Sequence, residues 1–186
     1  LYDVTFPFIR MVQGPVDYTP GAYRNATREG FRIDYRNPMS QGTRAHQVAA
    51  YVVFDAPLVM LCDSPTRYMA DEACTRFIAS LPVVFDTTRV LAGEIGEYIV
   101  TARKRQDCWD VGGLTGWTPR TLDVDLSLLD PGREYTATLL ADDDRSAAEP
   151  ARYVLSTQRV TSATRLQIPV APGGGFALKI EPADNK

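Results

Sequence analysis

The sequence predicts an α+β chain in two parts. Residues 1–86 are expected to hold two βα units from the end of a larger parallel sheet or barrel, and residues 87–186 an antiparallel β-sandwich. Three observations carry this expectation. Apolar residues fall in short runs and helical spacings up to about residue 86, then alternate with polar ones from about residue 88. Only two strands are legible in the first part, too few to cover their own edges. The chain opens on Leu1 rather than Met, with a strand expected almost at once, as though cut from a longer chain.

In the first part, Phe6-Pro7-Phe8-Ile9-Arg10-Met11 reads as a short strand. Leu58-Val59-Met60-Leu61-Cys62 reads as a second one, apolar throughout, as a parallel strand covered on both faces requires. Between them, Ala45, Val48, Ala49, Val52 and Val53 recur at helical spacing and predict a helix over Thr43 to Phe54. Ser64-Pro65 has the form of an N-cap followed by proline at the first helical position, opening a helix to about Leu81. Strand, long loop, helix, strand, helix is an α/β order with a right-handed crossover. Such a unit needs further strands, from another chain or from a larger sheet or barrel, and we favour the second.

The second part is strand-rich. Strands are expected at Glu97–Arg103, Cys108–Gly112, Arg120–Leu126, Tyr135–Leu140, Tyr153–Val160, Leu166–Val170 and Phe176–Ile180, with a short one at Arg89–Leu91. The third shows the clearest alternation, with Leu122, Val124 and Leu126 inward and Asp123 and Asp125 outward. Asp130-Pro131-Gly132, Asp142-Asp143-Asp144 and Pro172-Gly173-Gly174-Gly175 supply turns between them. The last lacks the lysine and hydroxyl residue of a phosphate loop and joins two strands. The three aspartates lack the glycine and distal glutamate of a calcium loop and read as a solvated turn.

Composition excludes several classes. With 20 Lys and Arg against 23 Asp and Glu, the net charge of −3 offers no general attraction to nucleic acid or anionic lipid. No apolar run, that through Tyr51 to Phe54 included, approaches the roughly 20 residues that span a bilayer, and no signal peptide is expected at the start of the sequence. Cys62, Cys74 and Cys108 are odd in number and form no C-x-x-C pair, which excludes a disulfide scaffold or a structural zinc site. Cys62 and Cys74 are expected to be buried, inert thiols. The single histidine, His46, rules out a site built of several imidazoles and reads as a structural residue near a helix start.

Candidate chemistry lies in the long loop, Val12 to Gly42. Loops of this length inside compact domains are usually functional, and this one follows a strand's C-terminal end, where a (β/α)8 barrel builds its active site. Asp17 and Tyr18 sit just beyond that end, and Asp63 holds the matching place after the second strand, making these three pocket-rim candidates. Each aspartate has a structural alternative, Asp63 as a cap beside Ser64. Arg24, Arg28, Arg32 and Arg36 recur every four residues, but Asn25, Gly30 and Asn37-Pro38 interrupt them, so a solvated or ion-paired loop is expected. Trp109 and Trp117 offer either core packing or a stacking platform for a glycan.

Several strings are more specific. Phe6 to Met11 leading to Gly14-Pro15-Val16-Asp17-Tyr18-Thr19-Pro20-Gly21 resembles the late-barrel segment of glycoside hydrolase family 97. Ser40-Gln41-Gly42-Thr43-Arg44-Ala45-His46-Gln47, Leu61-Cys62-Asp63-Ser64-Pro65, the stretch Trp109 to Arg120, and Ala171-Pro172-Gly173-Gly174-Gly175-Phe176 resemble the same family in collinear order. The resemblance implies a large bacterial α-glucosidase or α-galactosidase with a (β/α)8 catalytic barrel and a C-terminal β domain. Residues 1–86 then correspond to the barrel's last two βα units. It also implies α-linked glucosides or galactosides as substrates, a periplasmic or secreted location, and calcium whose ligands lie upstream of this chain. The family's proton donor and nucleophile likewise precede the matched segment, so no catalytic or metal residue is assigned here. The expectation is a non-catalytic C-terminal portion whose sandwich buttresses the barrel. The alternative is a carbohydrate-binding module using Trp109 or Trp117.

Overall fold

A computed structural model describes residues 1–183. Eight strands fill the second part: β3 (Thr87–Glu94), β4 (Tyr98–Arg105), β5 (Cys108–Thr115), β6 (Arg120–Asp125), β7 (Tyr135–Ala141), β8 (Val154–Val160), β9 (Arg165–Val170) and β10 (Gly175–Pro182). They are preceded by two two-residue strands, β1 (Asn25–Ala26) and β2 (Ser40–Gln41). Six strands form one antiparallel sheet in the order β3-β4-β5-β10-β7-β8, and β6 pairs β9 in a second antiparallel sheet.

The two-residue period accounts for how these sheets meet. Leu122, Val124 and Leu126 are buried and Asp123 and Asp125 exposed, as the alternation requires. They join Ile168 and Val170 of β9 in one core with Val100, Ala102, Trp109, Val111, Tyr135, Phe176, Leu178 and Ile180 of the larger sheet. Full burial of a side chain such as Phe176 stabilises by about 1.5–3 kcal/mol before packing contributions.

The opposite face of the large sheet carries α2 (Arg44–Val53). Thr43 caps it, its hydroxyl oxygen accepting from His46 N at 3.1 Å. Every residue of α2 is buried, because one side lies on β4, β5 and β10 and the other is covered by neighbouring segments. Its approach to the sheet is close: a Cβ at Gly112 would stand 2.8 Å from Val52 Cβ and 3.0 Å from Ala49 O. Over α2, Tyr23, Tyr68, Cys74, Phe77 and Ile78 pack on Ala45, Val48 and Val52, while Val4, Phe6, Val16 and Phe54 pack on Ala49, Ala50 and Val53.

Both strands expected in the first part are absent as strands. Phe6–Ile9 is a short helix, α1, with proline in its first turn and Phe6 and Pro7 buried. Lacking a neighbouring strand, the segment satisfies its backbone locally, with Arg10 N donating to Phe6 O at 2.9 Å. Leu58 to Cys62 is irregular, and Leu58, Met60 and Leu61 are 76%, 58% and 51% exposed. Its apolar run meets no second face among the described residues. Parallel pairing among the described residues is confined to β1 with β2. Cys62 is exposed rather than buried, while Cys74 is buried as expected. The helix expected to run to about Leu81 is two, α3 (Pro65–Ala70) and α4 (Glu72–Ser80). Asp71 leaves helical geometry between them and caps the second, its Oδ1 accepting from Cys74 N at 3.2 Å.

Candidate functional site

The structure gives the three rim candidates different surroundings. Asp17 is exposed and lines an open cleft of about 480 Å³ with Tyr2, Phe6, Ile9, Arg10 and Val16, a lining that does not include Asp63. Tyr18 is half-buried, packs edge-on against Phe54, and donates its hydroxyl to Asp3 Oδ1 at 2.9 Å. Burial, reinforced by the Asp3 carboxylate, pushes the Tyr18 phenol well above its ordinary range. Asp63 is a backbone clamp: Oδ2 accepts from Tyr23 N and Oδ1 from Ser64 N, both at 2.8 Å. Its carboxylate is occupied in holding the loop to the start of α3.

The densest polar arrangement lies elsewhere, at the first turn of α2 beneath the glycine-rich turn. His46 is buried, with Nδ1 3.1 Å from Gly174 O and Nε2 3.0 Å from Asp3 Oδ2. Both ring nitrogens therefore face oxygens that only accept, a geometry satisfied in full by the imidazolium. Burial alone would lower the pKa of His46, but the hydrogen bond and charge of Asp3 and the Gly174 carbonyl outweigh it, and the net shift is upward. Asp3 moves the opposite way: burial raises it, but His46 and Tyr18 hold it below the ordinary carboxylate value.

Arg44, two residues before His46 at the same helix end, is equally enclosed. Its Nε donates to Asn25 Oδ1 at 2.7 Å, Nη1 to Asp71 Oδ2 at 2.7 Å and Nη2 to Tyr23 O at 2.6 Å, with its guanidinium 3.9 Å from the Tyr23 ring centroid. Asp142, expected in a solvated turn, is buried, and its Oδ2 accepts from Ala171 N at 2.9 Å and Gly175 N at 3.0 Å. The glycine-rich turn is thus fixed from below by a carboxylate and from the side by His46. Gly42, at φ +89°, brings its backbone against this turn, and Thr43 N donates to Gly173 O at 3.0 Å.

This hub joins the first part to the sheets, and Asp142 Oδ1 is buried in it without a hydrogen-bond partner. A His–Asp–Tyr chain has the parts of a proton relay, but His46 has both nitrogens engaged and no nucleophile beside it. The sequence signal for it was the cap of α2, which places Thr43, Arg44 and His46 together; the partners Asp3 and Gly174 lie 43 and 128 residues away. Among the described residues, no group of three or more His, Cys, Asp or Glu is arranged to hold a metal ion.

The tryptophans separate. Trp109 is 4% exposed in the two-sheet core. Trp117 is half-buried beside a cleft of about 270 Å³ lined by Thr27, Arg28, Glu29, Thr43, Ser146 and Pro150. Gly173 packs on its benzo ring and Arg28 lies over the ring at 5.8 Å.

Comparison with known proteins places this arrangement. A family model described as "Glycosyl-hydrolase 97 C-terminal, oligomerisation" matches residues 84–181, more than half of the chain. The chain belongs to glycoside hydrolase family 97. It is 48% identical over 180 residues to a protein of Bacteroides thetaiotaomicron named retaining alpha-galactosidase, covering 97% of this chain and 27% of that one. A probable retaining alpha-galactosidase of Streptomyces bingchenggensis is 31% identical over 173 residues, covering 93% of this chain and 24% of that protein. Among solved structures, a glycoside hydrolase family 97 enzyme from Pseudoalteromonas sp. strain K8, in complex with panose, matches with a TM-score of 0.88 and 28% identity. That match covers 98% of this chain and 28% of the enzyme. The chain therefore spans about a quarter of the length of the family 97 proteins it matches.

Proposed function

We propose that this chain is the non-catalytic C-terminal portion of a bacterial family 97 glycoside hydrolase that cleaves α-galactosides with retention. The observation that carries the reading is the 48% identity, over 97% of the chain, to a protein named retaining alpha-galactosidase. Retaining hydrolysis needs two carboxyl groups about 5 Å apart, one attacking the sugar and one exchanging protons with the leaving oxygen and then water. Asp17 and Asp63 do not form such a pair, since Asp63 is spent on backbone amides. The catalytic pair belongs to polypeptide preceding Leu1, and so does the calcium site that the family resemblance implies. Among the described residues, no cluster of acidic groups fits a calcium ion. A periplasmic or secreted location follows from the same resemblance.

In this reading residues 1–86 complete a (β/α)8 barrel and residues 87–186 form the β-sandwich domain. The exposed run Leu58, Met60, Leu61 supports it, because these side chains gain cover once preceding barrel strands flank the segment. The sandwich supports the barrel through α2, and it self-associates, as the description of the matching family model implies. The test is product stereochemistry. The polypeptide comprising this chain and the sequence encoded upstream of Leu1 should release the α-anomer of galactose first from an aryl α-galactoside, seen by proton NMR. Initial release of the β-anomer contradicts retention, and no turnover of α-galactosides contradicts the substrate class.

A second reading, glycan stacking, is narrowed to Trp117, whose cleft has polar walls, because Trp109 is enclosed. Titrating galactose or maltooligosaccharides against tryptophan fluorescence tests it. A saturable change lost in Trp117→Phe supports it, and an unchanged spectrum ends it.

A further inference from the structure

We propose that β8 is the edge at which two copies of this chain associate, each adding its own β8 antiparallel to the other about a two-fold axis. The inference rests on the reading that the sandwich self-associates, and it names the surface. β8 ends the six-stranded sheet and, among the described residues, pairs only with β7. All of Val154 to Arg159 is exposed, including Val154 at 43% and Leu155 at 45%. Both faces of the strand are bare. Leu155, Thr157 and Arg159 lie opposite Leu140, Thr138 and Thr136 of β7, beyond the reach of α2; Val154, Ser156 and Gln158 lie opposite Ala141, Leu139 and Ala137, beyond the cover of β6 and β9.

The other edge of the same sheet is guarded. β3 carries a register shift between Val90 and Ala92 and charges at Arg89 and Glu94, and the ring of Phe8 lies against Gly93. Bulges, charges and covering segments are the usual defences of a sheet edge. β8 carries one charge, Arg159, and among the described residues neither a bulge nor a covering segment: it contains no proline, glycine, lysine or acid, and its register with β7 is unbroken. An edge left open in a protein that guards the opposite one is suited to strand addition.

Its sequence also suits a copy of itself. Antiparallel pairing sends the two Arg159 side chains to opposite ends of the ribbon, so no like charges face each other. With the axis at Thr157, Leu155 of each copy lies across from Arg159 of the other, whose aliphatic stem covers it. The pairing joins two six-stranded sheets into one continuous sheet and satisfies the outer backbone groups of both strands. A single strand pair buries less than the roughly 1,000 Å² of a strong interface, so the association is expected to be concentration-dependent.

Sedimentation velocity over about 1–100 μM, where such weak contacts titrate, tests this on the 186-residue chain. The chain should move from monomer to dimer as loading rises. Leu155→Lys with Thr157→Lys, and Thr157→Lys alone, should weaken the dimer by at least about tenfold through like-charge repulsion across the pair. Val90→Lys, on β3, should leave it unchanged. Melting followed by circular dichroism checks folding; both β8 positions are exposed, and the single variant serves if the double one unfolds. Should the lysine variants dimerise as the parent does, or Val90→Lys break the dimer, β8 is the wrong surface while self-association stands. A parent chain that stays monomeric throughout overturns both this inference and the self-association reading.

Discussion

Asp110→Asn is the perturbation whose outcome the structure specifies most fully. Asp110 lies in β5 between Arg103 of β4 and Lys179 of β10, on the face opposite the two-sheet core, and is 1% exposed. Each neighbouring cation already has an oxygen of its own: Arg103 Nη2 is 2.6 Å from Asp55 Oδ1 and Lys179 Nζ 3.0 Å from Glu181 Oε1. Asp110 is the surplus acid, and its Oδ1 is buried without a hydrogen-bond partner. Burial, aided by Glu181 and opposed by Lys179 and Arg103, pushes its pKa from the ordinary 3.8 up to about 7. Between those values the folded chain holds a proton that the unfolded chain has lost, so stability falls as pH rises through this window, and the loss is complete above about pH 7. At about 1.4 kcal/mol for each pH unit, the ceiling is about 4 kcal/mol. Water penetration and side-chain relaxation bring the expected loss to about 1–3 kcal/mol. Asparagine matches the size and stays neutral at every pH. The variant should equal the parent near pH 4 and exceed it at pH 8 by about 1–3 kcal/mol, or roughly 2–10 °C in melting temperature for a chain of this length. Melts by circular dichroism at pH 4, 6 and 8 read this directly. A variant less stable than the parent at pH 8, or with the same pH slope, refutes the reasoning.

His46→Gln should cost about 1–3 kcal/mol in urea unfolding at pH 6. The deficit should shrink at higher pH: the folded pKa of His46 is raised, so its contribution is complete below about 6.5 and is lost as pH rises through the folded value. A deficit independent of pH contradicts the imidazolium assignment. Arg44→Met strips the donor from Asp71, Asn25 and the Tyr23 carbonyl together and should cost about 3–5 kcal/mol. A near-neutral effect in urea unfolding contradicts the reading of Arg44 as the pin between loop and helix. Iodoacetamide should label Cys62 first in the folded chain and Cys74 only on unfolding, as peptide mapping will report.

In the second half of the chain β6 was legible because it is covered on one side and bare on the other. Leu122, Val124 and Leu126 carry that asymmetry in three residues. The first half misled for the complementary reason. Phe6 to Met11 and Leu58 to Cys62 have the composition of strands buried on both faces, but strand formation also requires partners, and here one segment coils locally while the other stays irregular. Asp71 broke the expected helix because its carboxylate, hydrogen-bonded to Cys74 N, Arg44 and Tyr153, does more as a cap than as a helical residue. The hub at His46 was out of reach of any local pattern, since Asp3 and Gly174 reach it from the two ends of the chain. Asp63 lies near a helix start, where its carboxylate accepts from Tyr23 N and Ser64 N.

The central claim, that this chain is the non-catalytic end of an α-galactoside hydrolase, is tested most directly by turnover of a chromogenic α-galactoside. Two samples are compared: the 186-residue chain, shown to be folded by circular dichroism, and the longer polypeptide that includes the sequence encoded upstream of Leu1. The account predicts hydrolysis by the longer polypeptide and none by the chain. Turnover by the folded chain, or an inert longer polypeptide, contradicts it.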